Sequence, residues 1–480
     1  MKRPKPEHKP KPAEIAAAQQ AVVDAERAAR GPHLLRGMKD VLPVDQPYWS
    51  FIERTASDLA RAYGYERIDP PVLESTTLFV RSVGEGTDIV DKEMYTFTDK
   101  GGDSVSLRPE FTASIARAYV EHGMVTLPQP VKLFTSGPLF RYERPQAGRY
   151  RQHSQLDVEV LGDPHPVVDA QVILLAHTLL TTLGLRVSVQ VNSLGDPESR
   201  KDYIRKLTEY FRTKRKDFTE EQRERLKRNP LRLLDANDPQ FRELTADAPQ
   251  LVDHLSEDAR KHFIGVLEYL DALDIPYELN PRLVRGFDYY TRTTFEIWPA
   301  GGEGVGQTAL IGGGRYDRLI HELGGRPTPA VGFGGGIERL ILALKEQHVA
   351  IPEPTAPQIF VAQLGDAARK KALQLFEHLR RSGFAVAENL SKDSLKTQLA
   401  TASRLGVQYA LILGQKEILD STVLIRDMES GIQETVSYDR IAEEMPKRLR
   451  NRTAPPRPAS PPAVPEEGTP LATPEPTEDV

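Results

Sequence analysis

Residues 283–297 read LVRGFDYYTRTTFEI and crowd Arg285, Asp288, Tyr289, Tyr290 and Arg292 around Gly286. A guanidinium presents a planar donor fork suited to carboxylate or phosphate, and a tyrosine offers an apolar ring with a polar tip. The set therefore suits an anionic small ligand. A half-buried hairpin with its tyrosines in the core is the other reading of the same residues. A second cluster begins at Arg141-Tyr142-Glu143-Arg144, continues through the basic loop Pro145-Gln146-Ala147-Gly148-Arg149-Tyr150-Arg151, and enters the strand-like stretch 155–161. There Gln155, Asp157 and Glu159 share one face and Leu156, Val158 and Val160 the other. One sheet face carrying Arg141, Gln155 and Glu159 is a better candidate site than any single residue. The third piece is Arg108-Pro109-Glu110, where proline fixes the backbone just before a carboxylate; it also suits an ordinary strand-to-helix corner.

The elements that must hold these groups follow from periodicity and turn chemistry. Apolar residues at helical spacing (Trp49, Ile52, Leu59) predict a helix over 46–62 that stops at Gly64. Residues 65–68 then form a short strand before Pro70-Pro71. Stretches 93–97 and 104–107 read as strands joined by a turn at Asp99-Lys100-Gly101-Gly102, with a helix from Thr112 to His122. Further strands are expected at 131–134, 185–191 and 293–298, and a helix at 169–182. Residues 197–270 are rich in charge and helix formers, which predicts a helical insertion. Gly312-Gly313-Gly314 and Gly332-Phe333-Gly334-Gly335-Gly336 read as glycine-rich turns between strand and helix, with Arg339 in the first helical turn. Neither fits a dinucleotide fingerprint or a GK[ST] phosphate loop. After a linker at 352–357, strands and helices alternate over 358–449, predicting a small α/β domain with a largely parallel sheet.

Bulk properties narrow the class. A chain of 480 residues calls for two or three domains. Its 63 Lys and Arg against 68 Asp and Glu give a net charge of −5, so a nucleic-acid partner must be held by local patches. Cys is absent, which removes disulfides, thiolate metal sites and cysteine nucleophiles and suits a cytoplasmic protein. No apolar run is long enough to cross a bilayer. Residues 1–30 read as a basic leader with a possible helix, and 450–480 as a Pro-rich disordered tail.

With these pieces in order, residues 35–444 resemble the histidyl-tRNA synthetase family of class II aminoacyl-tRNA synthetases. Gly64-Tyr65 through Pro71 is similar to motif 1, residues 140–159 to motif 2, and GFGGGIERL at 332–340 to motif 3. LVRGFDYYTRTTFE at 283–296 and GGGRYD at 312–317 are similar to the two signatures peculiar to the histidine enzymes. The resemblance implies an α+β fold: an antiparallel catalytic sheet flanked by helices (31–351), the helical insertion, and a C-terminal α/β anticodon-binding domain. It implies that L-histidine and ATP form histidyl-adenylate, and that the histidyl group then moves to the terminal ribose of tRNA(His). It also implies a homodimer, and Mg²⁺ accompanying ATP, with no protein-only metal site. Carried over by position, Glu110, Thr112 and Gln155 hold the α-ammonium, and Phe111, between the first two, is also expected among the histidine-binding residues. Glu159 and Tyr290 address the imidazole, and Tyr289 lies in the same wall. Arg141 contacts the α-phosphate and substrate, Glu143 the adenine side, Arg339 the γ-phosphate. Arg285 meets the α-phosphate and the histidine carboxylate, where other class II enzymes use a metal. Arg144 and Gln146 meet the tRNA acceptor end.

Two departures stand out. His153 occupies a place usually held by an aromatic ring that stacks on adenine; an imidazole is still planar but brings possible pH sensitivity. Phe111 replaces the glycine of some relatives. The alternatives are a synthetase-like regulatory subunit of histidine biosynthesis, a class II synthetase for another amino acid, and a purely structural nucleic-acid-binding protein. The first lacks an anticodon domain and erodes the ATP arginines, whereas Arg141, Arg285 and Arg339 are all present here.

Overall fold

The structure, a computed structural model, describes residues 32–450 apart from 85–86, 215, 217, 229, 235–244, 246, 302–307 and 353–355. The leader and the tail read from the sequence lie outside the described residues. The chain divides into two compact units between Ile351 and Pro352.

In the first unit the strands run β1 (Glu66–Arg67), β2 (Leu73–Ser75), β3 (Thr96–Thr98), β4 (Ser104–Leu107), β5 (Val131–Phe140) and β6 (Gln152–Leu161). They continue with β7 (Val187–Ser193), β8 (Tyr277–Leu279), β9 (Thr291–Pro299), β10 (Ile311–Arg315) and β11 (Ala330–Gly336). Eight of them form one sheet in the order β1-β5-β6-β11-β10-β9-β7-β8. Its interior pairs are antiparallel, and only the edge pairs β1–β5 and β7–β8 are parallel. A small sheet of order β2-β4-β3 stands apart. The expected turn at Asp99 closes its hairpin, with the Asp99 carboxylate accepting the Gly101 and Asp103 N–H groups.

One face of the large sheet is covered by helices Gln46–Ala62, Pro166–Thr182, Glu257–Ala272 and Ile337–Glu346. Helix Gln46–Ala62 follows its sequence signals, ending where Gly64 adopts φ +79°. Helix Pro166–Thr182 buries Val168, Val172, Ile173, Leu175, Leu179 and Leu180 at once. It is apolar nearly all round because it lies between sheet and neighbouring helices. Helix Glu257–Ala272 sends Phe263, Val266 and Leu270 into this same core. Of the stretch read as an insertion, the described helices Pro197–Thr213 and Glu220–Arg228 precede it. The stems of this excursion meet: Asp196 caps helix Pro197–Thr213 and accepts from Ser199 and Ser256, and the Ser256 N–H reaches the Ser199 hydroxyl at 2.8 Å.

The two glycine runs are strands at the middle of the sheet, not turns. Glycine is depleted in strands on propensity grounds, but contacts dictate it here. A Cβ on Gly313 would lie 2.7 Å from the Cβ of Phe333 and 2.8 Å from the ring of Phe295, its partners in the register on either side. Those phenylalanines close over the glycine in the core. β5 also runs on through Pro138 to Phe140 instead of stopping at Phe134. Beyond Phe134, β1 no longer pairs with it, so the missing proline N–H breaks no ladder. Arg108 Nε donates to the Pro138 carbonyl instead.

At the end of β10, Arg315 is completely buried. It donates to Asp169 through two nitrogens, to Asp317 at 3.1 Å and to the Asp163 carbonyl at 3.0 Å. His262 of helix Glu257–Ala272 touches the same Asp169 at 3.3 Å. One guanidinium thus joins the sheet to helices on its covered face.

In the second unit, β12 (Ile359–Gln363), β13 (Val386–Glu388), β14 (Tyr409–Leu413), β15 (Thr422–Asp427) and β16 (Gln433–Ser437) stand in the order β13-β12-β14-β15-β16. The first three are parallel and the last two antiparallel. The sheet is therefore mixed, its parallel half matching the alternation in the sequence.

Removing Arg315 leaves Asp169 buried with its main partner gone. Arg315→Met should lower unfolding free energy by about 3–5 kcal/mol. The double variant Arg315→Met/Asp169→Leu should recover part of it, with urea unfolding of both as the check.

Candidate active site

The opposite face of the large sheet, which helix Thr112–Glu121 covers in part, holds a cavity of about 290 Å³. The register explains where the room comes from. One row across the sheet runs Glu159, Gly332, Gly314, Thr294, and the next runs Asp157, Gly334, Gly312, Glu296. In each, two side-chain-bearing positions are separated by two glycines, a span of about 14 Å at roughly 4.8 Å per strand. The space is used by side chains leaning in from the rims. A Cβ on Gly332 would fall 1.7 Å from Glu159 Oε2, one on Gly334 1.7 Å from Gln155 Nε2, and one on Gly312 2.4 Å from an Arg285 nitrogen.

One end of the cavity is acidic. Glu110, at the start of helix Thr112–Glu121, accepts the Ala113 N–H at 2.8 Å, while its Oε2 has no partner. Thr112 donates to Glu159 Oε1 at 2.6 Å, and the Tyr316 hydroxyl donates to Oε2. Burial dominates the ionisation of all three carboxyls here. It pushes Glu110 up to about 7 and Glu159 up to about 8, even though hydrogen bonds to each favour the charged form. Asp157 is driven well above the usual carboxylate range by burial, then by Glu159 and Glu110. Tyr289 and Tyr290 are buried against one another with ring centroids 4.8 Å apart, and Phe287 stacks on Tyr289 at 5.2 Å.

The other end is basic. Arg141 Nε donates to the Pro109 carbonyl at 2.8 Å, and its guanidinium stands 5.6 Å from the Phe287 ring. The Arg-Pro-Glu corner thus places an arginine with the Pro109 carbonyl and a carboxylate with the next residue. Arg285 pairs with Glu296 and stands 5.5 Å from the Tyr290 ring, its Nε without a partner. Burial works against its charge, but Tyr290 and Glu296 outweigh it and the guanidinium stays protonated. Arg339 donates to the Ala309 carbonyl at 3.1 Å. Burial and the nearby Arg149 and Arg141 lower it to about 10, still a cation at neutral pH. Glu143 lies between Arg149 at 3.5 Å and Arg141 at 3.9 Å.

Glu110, Thr112, Arg141, Glu143, His153, Gln155, Arg285, Tyr289, Tyr290 and Arg339 all line this one cavity. Glu159 sits just behind Thr112. Phe111 does not line the cavity: it is fully buried in the core, with the Arg108 guanidinium 4.4 Å from its ring. Arg144 and Gln146 are exposed on the β5–β6 loop, outside the lining. The pH sensitivity expected of His153 is corrected: burial, with Arg141 and Arg339, drives it down to about 3, so the ring is neutral at any ordinary pH. The Ser154 N–H is held by the Glu338 carboxylate at 2.8 Å.

Several lining residues were given no role in the sequence: Asp157, Glu296, Trp298, Phe287, Arg149 and Glu338. For Asp157 the signal was available, because alternation puts it on the face of Gln155 and Glu159. Tyr316 carried no such signal; its hydroxyl reaches Glu159 only because β10 lies two strands from β6. Among the described residues, no group of three or more His, Asp or Glu side chains is arranged to hold a metal ion. No helix of the described residues is long and apolar enough to cross a membrane.

Comparison with known proteins bears on this arrangement. Residues 37–340 match the family model for histidyl-tRNA synthetase, and 358–448 match that for an anticodon binding domain. A histidine–tRNA ligase of Dehalococcoides mccartyi is 45% identical over 415 residues, covering 86% of this chain and 99% of the relative. The crystal structure of an apo Staphylococcus aureus histidyl-tRNA synthetase is similar with TM-score 0.73 at 36% identity, covering 86% of this chain and 99% of that one. A Bacillus halodurans chain described as an ATP phosphoribosyltransferase regulatory subunit/histidyl-tRNA synthetase gives TM-score 0.61 at 22% identity, covering 80% and 98%, a likeness of fold alone.

The buried carboxyls have a consequence for stability. Glu159 has a usual value of 4.5 and a folded one of about 8, so the native state holds a proton that the unfolded chain releases. The stabilisation is complete below about 4.5 and is lost as pH rises toward about 8. Its size is on the order of 5 kcal/mol. Unfolding free energy measured against pH in urea should fall across that window, and Glu159→Gln should flatten the fall.

Proposed function

The chain belongs to the histidyl-tRNA synthetase family, and we propose that the cavity just described is where it activates L-histidine with ATP before transfer to tRNA(His). The observation that carries this reading is that the segment at 283–296 delivers Arg285, Tyr289 and Tyr290 to the cavity that Arg141 and Gln155 enter from the motif 2 strands. The imidazole of histidine goes to the acidic end, where Glu159 and Tyr290 address its nitrogens. The α-ammonium goes to Glu110, Thr112 and Gln155. This leaves the substrate carboxylate toward the arginines.

In the first step a histidine carboxylate oxygen bonds to the α-phosphorus of ATP, the bond from that phosphorus to the bridging oxygen breaks, and pyrophosphate leaves with the electron pair. The two reactants are anions, so the need is for fixed cations aimed at the oxygens where charge builds. Arg141 and Arg285 meet it. Both are held in place before any ligand arrives, by the Pro109 carbonyl and by Glu296. Arg339 binds the γ-phosphate, Glu143 the adenine side, and the neutral ring of His153 stacks on the base. In the second step the adenylate's own phosphate oxygen can take the ribose proton, so no protein base is assigned. Mg²⁺ is expected to enter with ATP, bound mainly by phosphate oxygens and water. Glu296 and Glu143 line the same cavity and would be the carboxylates to hold it, though both already face arginines.

Arg144 and Gln146, exposed on the β5–β6 loop, suit contact with the tRNA acceptor end, and the unit at 352–480 suits the anticodon. The active form is read as a cytoplasmic homodimer joined through the motif 1 region. ATP–pyrophosphate exchange tested with each amino acid in turn should proceed with histidine alone. Exchange driven by another amino acid, or by none, sinks the reading. Arg285→Ala should slow exchange by about 10²–10³-fold, the usual size for one preorganised donor, while leaving tRNA affinity near normal. A near-normal rate would remove Arg285 from its role.

A further inference from the structure

Asp157 has no assigned task, yet its position is unusual. It is 2% exposed, lines the cavity, and its Oδ1 has no hydrogen-bond partner. Gln155 donates to the same carboxylate, which fixes the group without satisfying it. Oδ1 would lie 3.2 Å from a Cβ on Gly334, so it points over the glycine floor and not back into the sheet. The neighbouring Glu110 is also 2% exposed, with Oε2 likewise unpartnered. Two unpartnered carboxyl oxygens facing one cavity are costly in the absence of a donor. An ammonium group carries three N–H donors and no acceptor. Glu110 and Asp157 accept two of these, and Thr112 and Gln155 share the third.

We propose that Asp157 is a direct partner of the substrate's α-ammonium, and that with Glu110 it restricts the pocket to ligands bearing a free α-amino group. The proposal rests on the reading of the cavity as a histidine site. The charged and titratable groups facing Asp157 are Glu110, Glu159, Arg141 and Arg108. None is positioned to fill its Oδ1, since Arg108 is spent on the carbonyls of Pro138, Pro70 and Pro71 and Arg141 on Pro109. In the empty site burial favours the uncharged acid at Asp157 and Glu110. An arriving ammonium reverses that preference and expels protons.

Titration calorimetry of the full-length protein with L-histidine and with imidazolepropionate, which lacks only the α-amino group, tests this. Asp157→Asn should weaken histidine by about tenfold or more, as expected for one charge-assisted hydrogen bond, and leave imidazolepropionate unchanged. Equal weakening of both ligands, or no weakening of histidine, overturns the proposal. Should the asparagine variant bind neither, Asp157→Ala is judged by the same comparison. Proton release provides a second check: near pH 7, in buffers of different ionisation enthalpy, histidine should release more protons on binding the wild type than on binding Asp157→Asn. Equal release overturns the proposal. Failure of the wild-type protein to bind histidine at all would instead sink the reading of the site.

Discussion

Across the centre of the large sheet, Glu159 and Asp157 face Thr294 and Glu296 over pairs of glycines, and this lack of side chains governs the rest of the site. A pleated sheet normally fills both faces at every second residue. Here one face is emptied over two strands, so the long side chains of Arg285, Gln155 and Glu159 lie flat over backbone instead of standing upright. The emptying works only because the opposite face is tightly filled. Phe295 and Phe333 flank Gly313, and β10 is anchored at its end by Arg315. Rigidity on the core side is what permits a hollow on the other.

The hollow is polarised along its length. Carboxyls whose ionisation burial disfavours gather near helix Thr112–Glu121, and arginines that stay charged gather toward β9 and helix Ile337–Glu346. An amino acid has the complementary polarity, cationic at its α-nitrogen and anionic at its carboxylate. Binding in one direction satisfies both ends, and binding in the reverse direction satisfies neither. The charged arginines draw the carboxylate to their end, and the ammonium then meets carboxyls that its own arrival ionises. Histidine also needs its ring nitrogens matched, and the tyrosine-lined acidic end meets that need with a buried carboxyl already engaged by two hydroxyls.

Much of this was legible in the residues. The helix over 46–62, the two-residue alternation in β6 and the tyrosine pair beside Arg285 are local patterns, and local patterns survive folding. The glycine runs were misread as turns because propensity treats glycine as a strand breaker, while their strand conformation is imposed by neighbours on other strands. His153 was misread for a related reason: its ionisation depends on Arg141 and Arg339, which lie close only in the folded chain. Phe111 follows Glu110 directly in sequence yet turns into the core, a choice made by the first turn of a helix. Arg315 shows the same limit. Gly312, Gly314 and Tyr316 of the GGGRYD run serve the site, whereas the Arg315 side chain crosses to the covered face and ties helix Pro166–Thr182 to the sheet.

The touching stems of the charged helical excursion have a consequence for how such a chain can change in length. Asp196 and Ser256 lie 60 residues apart in sequence and are bonded to one another. Closing a flexible loop of that size costs on the order of 4 kcal/mol, and doubling it adds only about 0.6 kcal/mol. The hydrogen bonds among Asp196, Ser199 and Ser256 help offset this closure at the base, independent of what lies beyond. The excursion is thus a module with its own fixed hem: residues can be gained or lost within it at little thermodynamic cost, while the sheet beneath sees the same two ends in the same place.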